Sequence, residues 1–168
     1  EADRLVHAAL ASATLGISPA SLLQAWQDWA IHLAISPGKQ QEIVAKAVDK
    51  ASRLATFLRG CAGSNRPAPC ITPLPQDRRF TNAAWQELPF IAYQQSFLLW
   101  QQWWHNATTG VAGVSARHER LVEFYSRQIL DMFAPSNFIA TNPEVLARTL
   151  ATGGANLSTG LSNLLDDI

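Results

Sequence analysis

The chain is poor in charge. Of its 168 residues, 13 are Lys or Arg and 13 are Asp or Glu, so the net charge is zero and only 15% of side chains are charged, against about a quarter in an average soluble chain. That balance argues against a nucleic-acid-binding arm, a disordered tail, or a protein that gathers partners through a long-range field. Cysteine is almost absent as well. Cys61 and Cys70 are too few for a disulfide framework, and no second pair or nearby histidine completes a metal site. No metal and no cofactor is expected, and the cysteine usage fits a reduced, cytoplasmic setting. Two-residue alternation is nowhere sustained, which argues against sheet architectures.

Catalytic signatures are missing too. There is no Gly-x-Ser-x-Gly or Gly-x-Cys-x-Gly elbow, and Gly153-Gly154 lacks the Lys-Ser/Thr of a phosphate-gripping loop. His7, His32, His105 and His118 are scattered through helical patterns, and no catalytic residue is assigned. The uncharged runs 5–27 and 88–116 exceed the roughly 20 residues that span a bilayer. Gly16, Ser18 and Pro19 interrupt the first, while Gln94, Gln95, Gln101, Gln102, His105 and Asn106 stud the second, and such groups are costly in hydrocarbon. No transmembrane segment is expected. No signal-peptide pattern accompanies the sequons at Asn106 and Asn156, which are read as chance.

What the sequence does have is 48% hydrophobic residues set at helical spacing. Residues 2–15 predict an Ala-rich helix stopped by Gly16. Ser18-Pro19 and Ser36-Pro37 are N-cap signatures, and they open a helical hairpin of 19–33 against 37–59. Its apolar positions are Leu22, Leu23, Trp26, Trp29, Ala30 and Leu33, then Ile43, Val44, Ala47, Val48, Ala51, Leu54, Ala55 and Leu58, with Gly60 as the stop. Four prolines and two glycines in 60–76 exclude a regular element there. Beyond them aromatics concentrate, with Phe90, Phe97 and Trp104 seven apart and Trp100 nearby. A helix is predicted over Ser115–Phe133, with Val114, Leu121, Tyr125 and Met132 and the adjacent Val122, Ile129 and Phe133 repeating helically. Thr141 to Glu144 reads as a capping box, and a Leu-rich segment follows, broken at Gly153-Gly154. The expected fold class is all-α. Its segments are a helical extension (1–60), a Pro/Gly-rich linker (61–76) and a helical domain (77–168).

Asp77-Arg78-Arg79-Phe80, Trp85 with Pro89-Phe90, Phe124-x-x-Arg127-Gln128, Pro135-Ser136-Asn137-Phe138-x-x-Thr141-Asn142-Pro143-Glu144 and Gly154-x-Asn156-Leu157-x-x-Gly160-Leu161-x-Asn163-Leu164 form a specific constellation. It resembles the N-terminal region of class I poly(3-hydroxyalkanoate) synthases, the poly-β-hydroxybutyrate polymerases, over about residues 76–168. The first sixty residues look like that family's N-terminal extension. The resemblance implies an acyltransferase that polymerises (R)-3-hydroxyacyl-CoA into a storage polyester and releases CoA. It also implies that the catalytic Cys, Asp and His belong to an α/β-hydrolase domain absent from this stretch, which is therefore expected to be inactive alone. Contact roles are implied for the stretch itself: support of activity, homodimerisation, docking with its own C-terminal catalytic domain, and attachment to the polyester granule and its coating proteins in the cytoplasm. The reading from another class is a free-standing helical adaptor for an apolar surface or partner helix.

Candidate interaction residues follow from chemistry. Trp26, Trp29, Trp100, Trp103 and Trp104 offer docking area or core packing. Arg78 and Arg79 offer planar forks for carboxylates, or solvated charge. Asn137, Thr141 and Asn142 suit capping and turns, and Asn156 and Asn163 share a helical face.

Overall fold

The structure, a computed structural model, describes residues 2–13, 16–61 and 68–167. The readings that fall on 14–15 and on 62–67 of the Pro/Gly-rich segment lie outside the described residues. Every regular element among those described is helical: α1 (Ala2–Ala13), α2 (Pro19–Ala34), α3 (Pro37–Cys61), α4 (Phe90–Thr108), α5 (Ala116–Met132), α6 (Pro143–Ala151) and α7 (Ala155–Asp166), with short 3-10 turns at Ala83–Gln86 and Pro135–Asn137. The all-α class holds. No described helix is long and apolar enough to cross a membrane. The chain forms two compact units, Glu1–Ala51 with Gln101–Leu130 and Ser52–Trp100 with Asp131–Ile168, so each is assembled from stretches distant in sequence.

Helix boundaries follow local chemistry. Pro at the first helical position, with its missing N–H and fixed φ, starts α2, α3 and α6. The Ser18 hydroxyl accepts from the Ser21 N–H at 3.4 Å. Ser36 acts differently: its hydroxyl donates to the His32 carbonyl at 2.7 Å, while Gln40 Nε2 donates to the carbonyls of Leu33 and Ala34. Both residues thus serve the orphan carbonyls at the end of α2. Gly60 does not stop α3, which runs on to Cys61. The expected cap of α6 moves by one residue. Asn142 Oδ1 accepts from the Glu144 and Val145 N–H groups at 3.0 and 3.2 Å, because the residue before a proline is pushed out of the helical region and becomes the cap. Gly153 and Gly154 do break the Leu-rich segment, at φ +58° and +89°, where a side chain would be strained.

Which face each helix buries departs from the apolar count. On α3 the buried residues are Ile43, Lys50 and Phe57, while Val44 and Val48 are 62% and 64% exposed and Ala51, Ala55 and Leu58 are exposed as well. The seven-residue repeat that packs carries the bulkier rings and stems, and Lys50 buries its aliphatic chain within it. On α2 Ala25 is buried and Leu23 and Ala30 are exposed; on α5 Val122, Tyr125, Ser126 and Leu130 are buried and Ile129 and Met132 are exposed.

The second unit is built on aromatic packing. Phe80, Trp85, Phe97, Leu98 and Ala134 form its core, with Ile71 and Phe90 against it. Phe80 and Trp85 meet edge to face at 4.9 Å between centroids, a favoured geometry. Buried Gln95 of α4 pairs with the backbone of Ile71 as a strand would, accepting from its N–H and donating to its carbonyl, both at 2.9 Å. Its Oε1 also accepts from the Cys70 thiol, and Arg53 donates to the Cys70 carbonyl. The end of the Pro-rich segment is therefore latched to helices on both sides. Burial pushes the Cys70 thiol up, away from the thiolate that a nucleophile needs.

Candidate functional site

In the first unit the indoles are used as polar anchors as well as apolar mass. Trp29 Nε1 donates to the Ala107 carbonyl and Trp103 Nε1 to the Ile43 carbonyl, both at 3.0 Å. Trp26 stands edge-on to Trp29 at 5.4 Å, and Trp103 stands edge-on to Trp104 at 5.3 Å. All four are half-buried. Trp104 Nε1 is buried without a hydrogen-bond partner among the described residues.

The same unit holds an arrangement that periodicity does not reveal. Asp28 accepts from His118 Nδ1 at 2.6 Å through Oδ2 and faces His32 Nδ1 at 2.9 Å through Oδ1. The Ser115 N–H, just ahead of α5, also donates to Oδ2. A carboxylate and a carbonyl can only accept, and His32 Nδ1 also meets the Asp28 carbonyl at 2.8 Å, so Nδ1 carries the proton on both rings. Asp28 and His32, four residues apart on one helix, are visible in the sequence as a pair; His118, 90 residues beyond Asp28, is not. Among the described residues no group of three ligands could hold a metal ion.

The hydrogen bond from His118, followed by that from Ser115, holds the Asp28 carboxyl below its ordinary value of 3.8. A depressed folded value means that the folded state binds fewer protons than the unfolded chain. The stability this contact contributes is therefore fully present above 3.8 and is lost as pH falls through the lower folded value. Wild type and Asp28→Asn, unfolded in urea at stepped pH from neutral down to about 2, are expected to differ most at neutral pH and to converge in acid. A constant difference would remove Asp28 from the acid response.

In the second unit Arg79 is committed internally. Its Nε and Nη2 donate to the two oxygens of Asp77 at 2.9 and 2.7 Å, and Nη1 donates to Asp131 at 2.7 Å. The guanidinium also lies over Phe80 and Phe97 at 5.5 and 5.2 Å, which is cation–π range. The Asp77 hydrogen bond most of all, and then that to Asp131, raises its already high pKa. Arg78, its neighbour, is exposed.

The run from Pro135 to Glu144 is an interlocked turn. Asn137 Nδ2 donates to the Asp131 carbonyl at 2.8 Å at the end of α5. Thr141 Oγ1 and Asn142 Nδ2 donate back to the carbonyls of Pro135 and Ser136, both at 2.7 Å. Their polar atoms are spent on the turn and on the helix ends that flank it. Asn156 is likewise taken by Thr149 and Thr152 at 2.9 Å each. The rings around the turn point elsewhere. Tyr93, Phe97 and Trp100 of α4, with Phe133, Pro135 and Phe138, line an apolar cleft of about 400 Å³, and Trp100 is 46% exposed. Trp100 is thus the one of the five candidate indoles that reaches this cavity, and Phe133, from the helical repeat, and Phe138, from the Pro135–Glu144 motif, are wall residues outside the candidate interaction set.

This turn falls in a stretch shared with known proteins. The family described as poly-beta-hydroxybutyrate polymerase (PhaC) N-terminus matches residues 76–168, and one described as poly-beta-hydroxybutyrate polymerase N terminal matches residues 1–39. The chain is 41% identical over 101 residues to a poly(3-hydroxyalkanoate) polymerase of Methylorubrum extorquens, covering 60% of this chain and 17% of that protein. It is 33% identical over 111 residues to a poly(3-hydroxyalkanoate) polymerase subunit of Rhizobium etli, covering 66% and 17%, and 30% identical over 93 residues to one of Cupriavidus necator, covering 55% and 16%. It thus spans about one sixth of the length of these curated relatives. No solved structure matches it. With the PSNF-x-x-TNPE turn and the aromatic core both inside the matched stretch, the chain belongs to the N-terminal family of the poly-β-hydroxybutyrate polymerases.

Proposed function

We propose that the chain is the non-catalytic N-terminal part of a polyhydroxyalkanoate synthase, an acyltransferase that joins (R)-3-hydroxyacyl-CoA units into polyester and releases CoA. In this reading residues 1–60 are an extension, 61–76 a linker and 77–168 the helical domain that leads to the catalytic part. The observation that carries it is the family match over 76–168, which falls on a stretch whose polar motif residues lock a turn and whose rings face a cleft. Such a surface suits contact. A polymerising thiolate needs a base and an oriented acid on a rigid scaffold, and that task is assigned to the remainder of the enzyme. The contact tasks proposed for this part are support of activity, homodimer formation, and attachment to the granule and its coating proteins in the cytoplasm.

The test is CoA release from 3-hydroxybutyryl-CoA by this chain, by the full-length polymerase, and by the polymerase shortened by residues 1–168. The chain alone is expected to be silent and the shortened enzyme to be slowed by about tenfold, which is roughly 1.4 kcal/mol of activation free energy, or to show a longer lag. Turnover by the chain alone would place the chemistry here and defeat the reading. An unimpaired shortened enzyme would favour the adaptor role.

A further inference from the structure

The cleft of the second unit has chemistry that narrows its occupant. Ser96 and Thr141 complete its lining, but their hydroxyls already donate to the carbonyls of Ala92 and Pro135, both at 2.7 Å. Among the described residues no charged side chain lines it. It therefore offers no counter-ion and a lining that is mostly apolar rings, and what suits it is apolar surface, with room for a few aliphatic or aromatic side chains. Tyr93, Trp100, Phe133 and Phe138 are all exposed at it. A contiguous patch of that kind on a soluble domain marks an interaction site.

We propose that this cleft is the docking site for the part of the polymerase chain that follows residue 168, seated by an apolar segment of that part. The proposal rests on the family reading above, under which most of the polymerase lies outside the one sixth that this chain spans. A second feature of the same unit points to the same occupant. Among the described residues of α7 no side chain is buried, and Leu157, Leu161, Leu164 and Leu165 are exposed. One covering body that continues the chain after α7 accounts for both the open cleft and the bare helix. Tethering also favours it: a covalently linked partner is presented at an effective concentration on the order of millimolar, well above that of a second copy in dilute solution.

The test uses the full-length polymerase carrying Ser96→Cys, with Gln41→Cys on the exposed side of α3 as a reference thiol. Maleimide labelling is followed peptide by peptide so that the native cysteines are counted separately. The thiol introduced at position 96 is expected to label at least about tenfold more slowly than the reference thiol, at a ratio that does not change with protein concentration. Adding Trp100→Glu, which would bring a charge into the docked cleft, is expected to restore fast labelling. Equal rates for the two introduced thiols would show an open cleft and overturn the proposal. So would protection that grows with concentration, which identifies a second copy, or protection that appears only with polyester granules, which identifies the polymer. CoA release from the same samples reports separately on the polymerase reading, so the two ideas fail independently.

Discussion

Replacing Trp85 by Ala is expected to lower the stability of the second unit by about 3–5 kcal/mol, the range for removing a buried large aromatic. Trp85 is 0% exposed and stands at the centre of the ring cluster, edge-on to Phe80 at 4.9 Å and to Phe90 at 6.3 Å. Removing it opens a void between α4 and the 3-10 turn that carries it, and the latched segment around Ile71 would have to collapse inward to fill it. Against the roughly 5–15 kcal/mol that holds an ordinary domain together, that loss is at least about a fifth of the total and, in a marginal domain, nearly all of it. Urea unfolding followed by far-ultraviolet circular dichroism measures it. Trp85→Phe is the informative companion. Trp85 Nε1 is buried with no hydrogen-bond partner among the described residues, so the change to Phe keeps a ring and removes an unsatisfied donor. It is expected to cost well under half as much. If Phe were as damaging as Ala, the indole N–H would be making a stabilising contact of its own.

Gly113→Ala is expected to destabilise the first unit by about 2–4 kcal/mol, combining backbone strain with overpacking. Gly113 has φ +94°, and a Cβ there would fall 2.2 Å from His32 Cδ2. The ring cannot simply swing away, because its Nδ1 is held by the Asp28 carbonyl and carboxylate. The two contributions separate in a double-mutant cycle. In a His32→Ala background the clash is gone and the strain remains, so Gly113→Ala should then cost only about 1–2 kcal/mol. A penalty independent of His32, read from urea midpoints, would assign the whole effect to the backbone.

Much of the architecture is legible from short-range chemistry. Ser18-Pro19, Pro37 and Pro143 mark helix starts because a proline ring and a capping oxygen act within one turn. Gly153-Gly154 marks a break because only glycine sits easily at positive φ. The PSNF-x-x-TNPE run carries the family likeness, and its polar residues do what their types suggest: they cap and close a turn. The cap itself falls on Asn142 rather than Thr141, because the constraint of Pro143 on its predecessor outranks a hydroxyl one residue earlier.

The candidate surface is less legible. Trp26, Trp29, Trp100, Trp103 and Trp104 are equivalent as letters, yet four are half-buried and Trp100 opens onto the cleft. Its wall is completed by Phe133, which the helical repeat would bury but which falls just past the end of α5 and is exposed, and by Phe138 in the turn that follows. Arg79 has Asp77 two residues away as a local partner, but its second carboxylate, Asp131, lies 52 residues on and is not visible as one.

The class of every described regular element, the positions of most breaks and the family all follow from the order of the residues, since each depends on neighbours within a few positions or on a contiguous motif. Long-range packing chose the rest: which stripe of α3 and α5 turns inward, which indole stays in water, and how Asp28 comes to be shared by His32 and His118. Those outcomes depend on which side chains fill a common volume when distant stretches meet. A helix with apolar residues on more than one face leaves that choice to its neighbours.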